Sequence, residues 1–516
     1  MNKFMTAEEA VKLVNDNDSI AVSGNGGGIM EPNFLFEALE KRFLETGHPT
    51  GLTLTHSAGI GDKENGGVSR FAHEGMIKRV VGGHWGWSPR MQQLANDNKI
   101  EAYNFPQGIV AMQYREAAAH RPGLITKTGL KTFVDPRVSG AKLNTCTKED
   151  LVELIHMNGE EWLHYKTYDF SCALIRGSYG DGAGNISMEQ EPAYLEALQI
   201  AQAVHNCGGK VICQVKYAAK TGTMDPKNVR IPGILIDAVV VCPDQVQTIE
   251  GEYNPALTGD LKIPEDSIAP MKLDQRKIVA RRAAMEMRKG MVMNLGFGMP
   301  DGVAKVAAEE GIGDYAKMTI EQGIIGGIPA SGAIFGVAYN AEAMIDGPSQ
   351  FDFYNGGGLD MTCLGLAQAD SHGNVNVSKF GPTISGAGGF IDISQTAKKC
   401  VFCGTFTAGG LKTEIKDGEL HILQEGRAKK FLKDVEHITF SGEFARETHQ
   451  PVLYVTERAV FEMTGEGLVL KEIAPGVDLQ KDILDQMDFV PLMPQPPVLM
   501  DARIFRPEIM GIRNDD

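Results

Sequence analysis

The chain has 516 residues, a formal net charge of −16 at pH 7 and 43% hydrophobic residues. This length predicts two or three domains, and the apolar content is enough to bury large sheets. Because the chain is acidic and has no Lys/Arg-rich block, nucleic acid is not expected as a partner. No apolar run approaches the roughly 18 residues that a membrane span needs, so we expect a soluble, cytoplasmic protein.

The cysteine and histidine patterns do not predict a metal site. Twelve histidines show no H-x-x-x-H pairing, and eight cysteines are scattered along the chain. Cys400 and Cys403 match C-x-x-C, but they lie in the strand-like run KKCVFCGTF, where alternate side chains face opposite ways. The pattern therefore predicts buried strand cysteines.

The first predicted elements, in chain order, are a helix, a strand and a glycine turn. Thr6 and Glu9 form a capping box at the helix start, and residues 18–23 form a short β-type run. The glycines of 24–28 make the turn. A second helix follows, and Gly47 is expected to end it.

The same order of elements returns in the second half of the chain. Residues 276–290 read as a helix, 291–296 as a strand and 296–300 as a glycine turn before the next helix. Pro32 and Pro300 hold equivalent places, about half the chain apart. This spacing predicts duplicated domains rather than a solenoid.

Later segments repeat as well, and both halves carry the pattern of a parallel sheet. Residues 173–188 resemble 364–379, each reading as a strand that enters a Gly-Asn turn. Runs such as KVICQV are continuously apolar, as expected for strands covered on both faces by helices. The stretch from Glu250 to Gln275 has three prolines and no sustained periodicity, so it is the predicted linker.

The predicted fold class is α/β, with two related open α/β domains at residues 1–260 and 275–516. The C-terminal half adds a β-rich portion, with one hairpin on Asp417-Gly418 and a second around Gly465–Gly467. A closing helix, capped near Asp478, is expected to carry Leu479, Ile483 and Met487.

One carboxylate, Glu321, lies among apolar and glycine residues in TIEQGIIGGIP, and a nucleotide-binding role is one interpretation of it. Gly296 and Gly298 follow a strand and precede a helix, and an acid about 20 residues further on suits the ribose of a nicotinamide dinucleotide. Against this, the third glycine of the fingerprint falls one place late, at Gly302, and Pro300 interrupts the expected helix start.

A second interpretation makes Glu321 a nucleophile. A glutamate at a strand end, beside residues small enough to admit another molecule, can attack an activated carbonyl. Backbone amides of 386–389 or 355–358 could then stabilise the oxyanion. A third interpretation, a paired structural acid among turn glycines, stays open on the pattern alone.

The motifs resemble those of family I coenzyme A transferases of the short-chain acyl type, the propionate and acetate CoA-transferase group, with the two family subunits fused. The likeness runs over nearly the whole chain, and its most specific segments are NLGFGMP (294–300), TIEQGIIGG (319–327), 351–381, GAGGF (386–390) and 402–412. The first glycine loop, GNGGGIMEP, departs from the family's usual Gly-Phe-Gly-like stretch and leaves the shape of the acyl pocket open.

The resemblance implies a ping-pong exchange of CoA between a short-chain acyl-CoA and a free carboxylate. In this family pattern Glu321 becomes a glutamyl-CoA thioester, Gly388 and Gly389 place amides beside it, and the Gln107 side chain faces the acyl group. The active site should then lie between the two halves. CoA is implied as substrate and covalent intermediate, with no permanently bound cofactor, and a homo-oligomer is expected.

Further residues are expected near the CoA body because they lie in or beside the matching glycine segments. Those expected to bind CoA are Gly386, Ala387, Asn355, Gly356 and Lys412. Three further lysines, Lys379, Lys398 and Lys399, lie near the matching glycines and are candidates for the CoA phosphates.

Overall fold

The computed structural model describes residues 2–264 and 270–514 of the chain. The predicted linker has no helix or strand between residues 252 and 264, and its residues 265–269 lie outside the described part. The outer ends of the two predicted domains, residue 1 and residues 515–516, also lie outside it. The division at 260 and 275 therefore stays a prediction.

Short strands dominate the N-terminal half. In chain order they are β1 (Phe4–Met5), β2 (Ser19–Val22), β3 (Leu52–His56), β4 (Ile77–Gly82), β5 (Glu101–Asn104), β6 (Gly123–Thr126), β7 (Val152–Met157), β8 (Glu160–Lys166), β9 (Cys172–Asp181), β10 (Ile186–Ser187), β11 (Lys210–Ala219), β12 (Val229–Ile231) and β13 (Ala238–Val241).

The C-terminal half has shorter central strands and many two-residue ones. They are β14 (Met291–Leu295), β15 (Ala316–Ile320), β16 (Ile324–Ile325), β17 (Ile328–Pro329), β18 (Ala338–Tyr339), β19 (Ala343–Met344), β20 (Met361–Gly365), β21 (Gln368–Asp370), β22 (Val375–Asn376), β23 (Lys379–Phe380), β24 (Thr383–Ile384), β25 (Cys400–Cys403), β26 (Thr407–Ala408), β27 (Lys412–Lys416), β28 (Glu419–Gln424), β29 (Ala428–Lys429), β30 (Phe431–Leu432), β31 (Val452–Val455), β32 (Ala459–Met463), β33 (Leu468–Ile473) and β34 (Val498–Leu499).

The helices alternate with the strands along both halves of the chain. They are α1 (Ala7–Ala10), α2 (Asn33–Thr46), α3 (Pro89–Asn96), α4 (Gln107–Ala118), α5 (Ala197–Asn206), α6 (Gln275–Ala284), α7 (Gly302–Glu309), α8 (Gly347–Asn355), α9 (Phe390–Thr396) and α10 (Gly442–Glu447).

The two halves share one strand order. In the first sheet the central run is β13-β11-β9-β2-β3, and in the second it is β31-β25-β20-β14-β15. All neighbouring pairs within both runs are parallel. The predicted α/β fold class and the duplication of the topology are therefore confirmed.

A matched pair of aspartate turns repeats in the two halves. The Asp181 carboxylate accepts hydrogen bonds from the backbone N–H of Ala183 and Asn185, and the Asn185 amide donates to its second oxygen. Asp370 forms the same three bonds with its own Asn374 turn. The Gly-Asn repeat thus marks one turn at the same end of two related strands.

Most of the locally predicted features are present. The Thr6–Glu9 capping box starts α1, and Gly47, with a φ of +73°, ends α2. The hairpin β27-β28 turns on Asp417 and Gly418, which both have positive φ, as a two-residue hairpin turn requires.

The closing helix was predicted wrongly. Asp478 does cap the segment through the backbone N–H of Lys481. However, 479–483 form a single π-helical turn and 484–486 a 3₁₀ turn instead of an α-helix. A π-helical turn shifts the hydrogen-bond register by one residue, so the i, i+4, i+8 spacing of the apolar residues does not continue as one α-helix.

Buried apolar residues form the cores of both halves, and the cysteines belong to them. Cys400 and Cys403 lie on β25 with 0% and 1% of their surface exposed, as the strand pattern predicted. Within the described residues, every cysteine is free, and no helix is long and apolar enough to cross a bilayer.

Candidate active site

Glu321 directly follows β15, at the carboxyl end of a central parallel strand. The chain then reverses at Gly323, whose φ of +97° lies in the left-handed region that favours glycine. A Cβ on this glycine would come within 2.1 Å of the Ile345 carbonyl oxygen. The tight turn therefore holds Glu321 between β15 and β16, with 8% of its surface exposed.

A hydrogen-bonded group behind Glu321 holds its carboxylate. Asn294, on the neighbouring strand β14, places its Nδ2 3.3 Å from Glu321 Oε2 and 3.2 Å from the Thr319 carbonyl oxygen. The Tyr354 hydroxyl donates to Thr319 Oγ1 at 2.8 Å. Burial raises the pKa of the Glu321 carboxyl, while the Asn294 hydrogen bond opposes that rise.

A cavity of about 410 Å³ contains Glu321 and lies between the two halves, where the resemblance implied the active site. Residues 25 to 107 of the N-terminal half form one side, and residues 296 to 393 of the C-terminal half form the other. The lining side chains with polar or aromatic groups are Asn25, Lys63, His84, Trp87, Gln107, Phe297, Gln322, Phe335, Ser385 and Phe390.

The segment 386–389 forms the cavity wall nearest the carboxylate. A Cβ on Gly389 would lie 3.5 Å from Glu321 Cγ, so this backbone passes directly beside the acid. Within the described residues, the Gly389 N–H has no hydrogen-bond partner, whereas the Gly388 N–H donates to the Gly83 carbonyl at 2.8 Å. Of the two predicted amides, only that of Gly389 is open to a ligand.

Gln107 is the first residue of α4 and is 6% exposed. Its backbone N–H donates to the Gly388 carbonyl at 2.9 Å, and its Oε1 would lie 3.8 Å from a Cβ on Gly388. The side chain thus borders the cavity next to the glycine segment.

The residues predicted for CoA binding divide into two groups. Gly386 and Ala387 line the cavity, and the Ala387 N–H is already bonded to Asn104. Asn355 and Gly356 border a separate cavity of about 500 Å³, and Asn355 donates to Asp392. Lys412 is exposed on the β27-β28 hairpin. The structure does not bring these last three residues to Glu321.

The other candidate lysines are also away from the carboxylate. Lys398 pairs with Asp360, and Lys399 pairs with Glu286. Lys379 is half-buried on the small strand β23 and does not line the cavity. Nearness in sequence to the matched glycines therefore did not identify a cation in the cavity.

Several cavity residues were not predicted as site residues. The Gln322 amide donates to Asn25 Oδ1 at 3.1 Å, and Asn25 Nδ2 donates to the Phe335 carbonyl at 3.1 Å. Asn25 lies in the glycine turn that follows β2, and the counterpart of this turn after β14 was the available signal. Nothing local marked Phe335 or Trp87.

Asn104 and Asp392 join the halves beside the cavity. Asn104 is fully buried, and its Nδ2 donates to the carbonyls of Gly82 at 2.8 Å and Gly83 at 2.7 Å. Its Oδ1 accepts from the Ala387 N–H of the other half at 2.9 Å. Asp392 accepts from the Gly108 N–H at 3.0 Å, near the start of α4. Burial raises the pKa of Asp392 to about 7.

Comparison with known proteins identifies the class. The family model described as coenzyme A transferase matches residues 4–242. Over 508 residues the chain is 51% identical to the acetate CoA-transferase YdiF of Escherichia coli K12, covering 98% of this chain and 96% of that protein. The chain therefore belongs to the coenzyme A transferase family and is a CoA-transferase.

Two further similarities bear on its chemistry. The caffeate CoA-transferase of Acetobacterium woodii is 47% identical over 520 residues, covering 99% of each chain. A solved structure of YdiF from E. coli O157:H7, described as a thioester complex with CoA, has a TM-score of 0.94 and 50% identity and covers 99% of this chain and 97% of that one.

The nicotinamide-dependent oxidoreductase is not supported. Gly296 lines the cavity that holds Glu321, and Met299, Pro300 and Asp301 separate the loop glycines from the start of α7. A dinucleotide site needs its glycines to lead directly into the helix, so that the helix N-terminus faces the pyrophosphate.

Within the described ranges, no cluster of three or more His, Cys, Asp or Glu side chains could hold a metal ion.

Proposed function

We propose that this CoA-transferase exchanges CoA between short-chain acyl-CoA and free carboxylates of the acetate, propionate and butyrate class, through a covalent thioester on Glu321. The observation that carries the proposal is the buried Glu321 carboxylate next to the Gly389 amide, which has no hydrogen-bond partner in the described part of the chain. The similarity to acetate and caffeate CoA-transferases, and to a structure described as a CoA thioester, supports the same chemistry.

The reaction begins with attack by the Glu321 carboxylate on the thioester carbonyl of the acyl-CoA. A glutamyl–acyl anhydride forms as the C–S bond breaks and CoA leaves as its thiolate. The thiolate then attacks the glutamyl carbonyl, and the original acid leaves as its carboxylate. An incoming carboxylate reverses both steps, so that atoms and charge balance and the kinetics are ping-pong.

A carboxylate suits this exchange better than a hydroxyl or thiol nucleophile would. The anhydride that it forms is comparable in reactivity with the thioester it replaces, and exchange between two similar acids is nearly thermoneutral. Removal of the carboxylate from water strips its hydration shell, which favours attack. The Asn294 hydrogen bond opposes the rise in the Glu321 pKa and so favours the reactive anion.

The Gly389 N–H supplies the group that the oxyanion needs. Charge develops on the carbonyl oxygen in each tetrahedral intermediate, and a fixed backbone amide stabilises it without reorganisation. Binding of the distant CoA body can supply free energy for the step at Glu321. Gln107, beside the glycine segment, would face the acyl group.

Intact-mass measurement tests the covalent step. With acyl-CoA and no acceptor acid, the mass of the protein should rise by that of CoA minus one water, and the peptide that holds Glu321 should carry the increase. Borohydride should inactivate this form by reducing the thioester, and the free enzyme should resist it. In Glu321→Gln, CoA binding should remain while exchange collapses. Unchanged mass, or a fully active Glu321→Gln variant, would contradict the mechanism.

The resemblance also supports a homo-oligomer and a cytoplasmic location, and we propose both. The two residues of β34, Val498 and Leu499, are each 64% exposed on a strand that pairs only with β33 among the described residues. An apolar sheet edge of this kind suits an interface between copies of the chain. Light scattering would test the assembly, and cell fractionation would test the location.

A further inference from the structure

The charge distribution within the cavity singles out Lys63. Apart from Glu321, it is the only side chain of the described lining that carries a formal charge at neutral pH. The other basic residue there, His84, is neutral, because burial foremost, and then the charges of His56 and Lys63, lower its pKa to about 4. The cavity thus has one cation to offer an anionic substrate.

The Lys63 ammonium lies between aromatic rings from the two halves. Its Nζ is 4.6 Å from the centre of the Trp87 ring and 5.8 Å from that of Phe297. The Trp87 ring packs closely against Gly26 and Gly59, which fixes it in place. A Cβ would come within 2.3 Å of the ring at Gly26 and within 2.5 Å of it at Gly59. The rings therefore hold the ammonium at the cavity without neutralising it.

Lys63 has no ion-pair partner within the described part of the chain. The carboxylate of the preceding residue, Asp62, is already used, because it accepts from the backbone N–H groups of Glu64 and Gly66. Surface lysines of this protein commonly pair with acids, as Lys398 does with Asp360. An exposed, unpaired cation that lines a substrate cavity is a site for an anion.

We infer that Lys63 is an anion-recognition residue, whose ammonium binds an anionic oxygen group of the substrate while Glu321 reacts. This inference rests on the proposed function. Both substrates carry such a group, a phosphate on the CoA body and a carboxylate on the acceptor acid. Because the chain has a net charge of −16, which repels both of them, a local cation matters more here than on a neutral protein.

Binding measurements on the Glu321→Gln protein test the inference without depending on turnover. Calorimetric titrations with CoA, with pantetheine, which lacks the phosphates, and with acetate would be made before and after adding Lys63→Met. We expect about a tenfold loss of affinity for one anionic ligand, the size of one charge-assisted hydrogen bond near the surface. Loss for CoA but not pantetheine identifies the phosphate, and loss for acetate identifies the carboxylate.

Two further variants complete the test. Lys63→Arg should restore the affinity because it keeps the charge, and Lys148→Met, at an exposed lysine outside the cavity, should have no effect. Affinities for CoA and acetate that both stay within twofold would overturn the inference. So would equal losses for CoA and pantetheine, which would mean that Lys63 only positions Trp87. Failure of the covalent mechanism would instead appear as an unchanged mass of the wild-type protein with acyl-CoA.

Discussion

Replacement of Asn104 by Ala should separate positioning of the glycine segment from general stability. The change removes three short buried hydrogen bonds, two to the carbonyls of Gly82 and Gly83 and one from the Ala387 N–H. At about 1 kcal/mol each, their loss amounts to about 3 kcal/mol. Because the Ala387 N–H then lacks its partner, the segment that carries Gly389 should shift away from Glu321.

A shift of about 1 Å at a reacting centre costs on the order of 100-fold in rate, so we expect that loss in the rate of glutamyl-CoA formation. Rapid-quench mass spectrometry with acyl-CoA measures this single step, and thermal unfolding measures stability in parallel. The matched control is Asn144→Ala, since Asn144 also donates to two backbone carbonyls, those of Ala95 and Ile100, but makes no hydrogen bond to the glycine segment.

Both variants should melt at a lower temperature than the wild type, and only Asn104→Ala should lose the chemical step. If Asn104→Ala formed the thioester within twofold of the wild-type rate while its melting temperature fell, the link between Asn104 and the position of Gly389 would be refuted. A similar loss of rate in Asn144→Ala would refute it as well, because general loosening would then explain both.

Four other predictions have defined outcomes. Gly389→Val should lower turnover about 100-fold or more, because its side chain meets Glu321 and covers the free amide, and steady-state kinetics with unchanged circular dichroism would check this. Gly388→Val should act differently, by straining a residue with a φ of +54° and by loosening the contact between the halves, so we expect a lower melting temperature besides slower turnover. The rate of thioester formation should fall as pH drops through the Glu321 pKa, which burial raises, since only the anion attacks; a flat profile across the acid range would contradict this. Burial raises the pKa of Asp392 to about 7 in the folded protein, from a value near 4 in the unfolded chain. Between these pH values the unfolded chain is ionised more readily, so the wild-type protein loses stability as pH rises. The melting temperature of Asp392→Asn should therefore rise relative to that of the wild type as pH increases from about 4 to about 7. Parallel plots of melting temperature against pH for the two proteins would contradict this.

Features set by short-range contacts could be predicted from the sequence. The Thr6–Glu9 cap and the Asp417-Gly418 turn each involve residues a few positions apart, so their residue types are sufficient to indicate them. The duplicated strand order followed from the repeated order of elements around Pro32 and Pro300. The pattern around Glu321 left a ribose-binding acid, a nucleophile and a structural acid open, and the family resemblance favoured the nucleophile.

The contacts between the halves could not be predicted in the same way. Asn104 and Ala387 are 283 positions apart, and no periodicity links them. The assignments of Asn355, Gly356 and Lys412 rested on closeness in sequence to matched motifs, but turns carry these residues to other surfaces. Lys63 lies in an ordinary polar loop, and its importance depends on the aromatic rings that the fold brings to it.

The contacts that join the two halves beside Glu321 are formed largely by main-chain groups. The Gln107 N–H donates to the Gly388 carbonyl, and the Gly388 N–H donates to the Gly83 carbonyl. The Ser385 carbonyl accepts from the backbone N–H groups of Trp85 and Gly86. Main-chain hydrogen bonds do not depend on side-chain identity, so residues that face the acyl group can diverge while the nucleophile keeps its setting. Acid preference in this scaffold should therefore be open to redesign at Asn25 or Phe335 without rebuilding the catalytic apparatus.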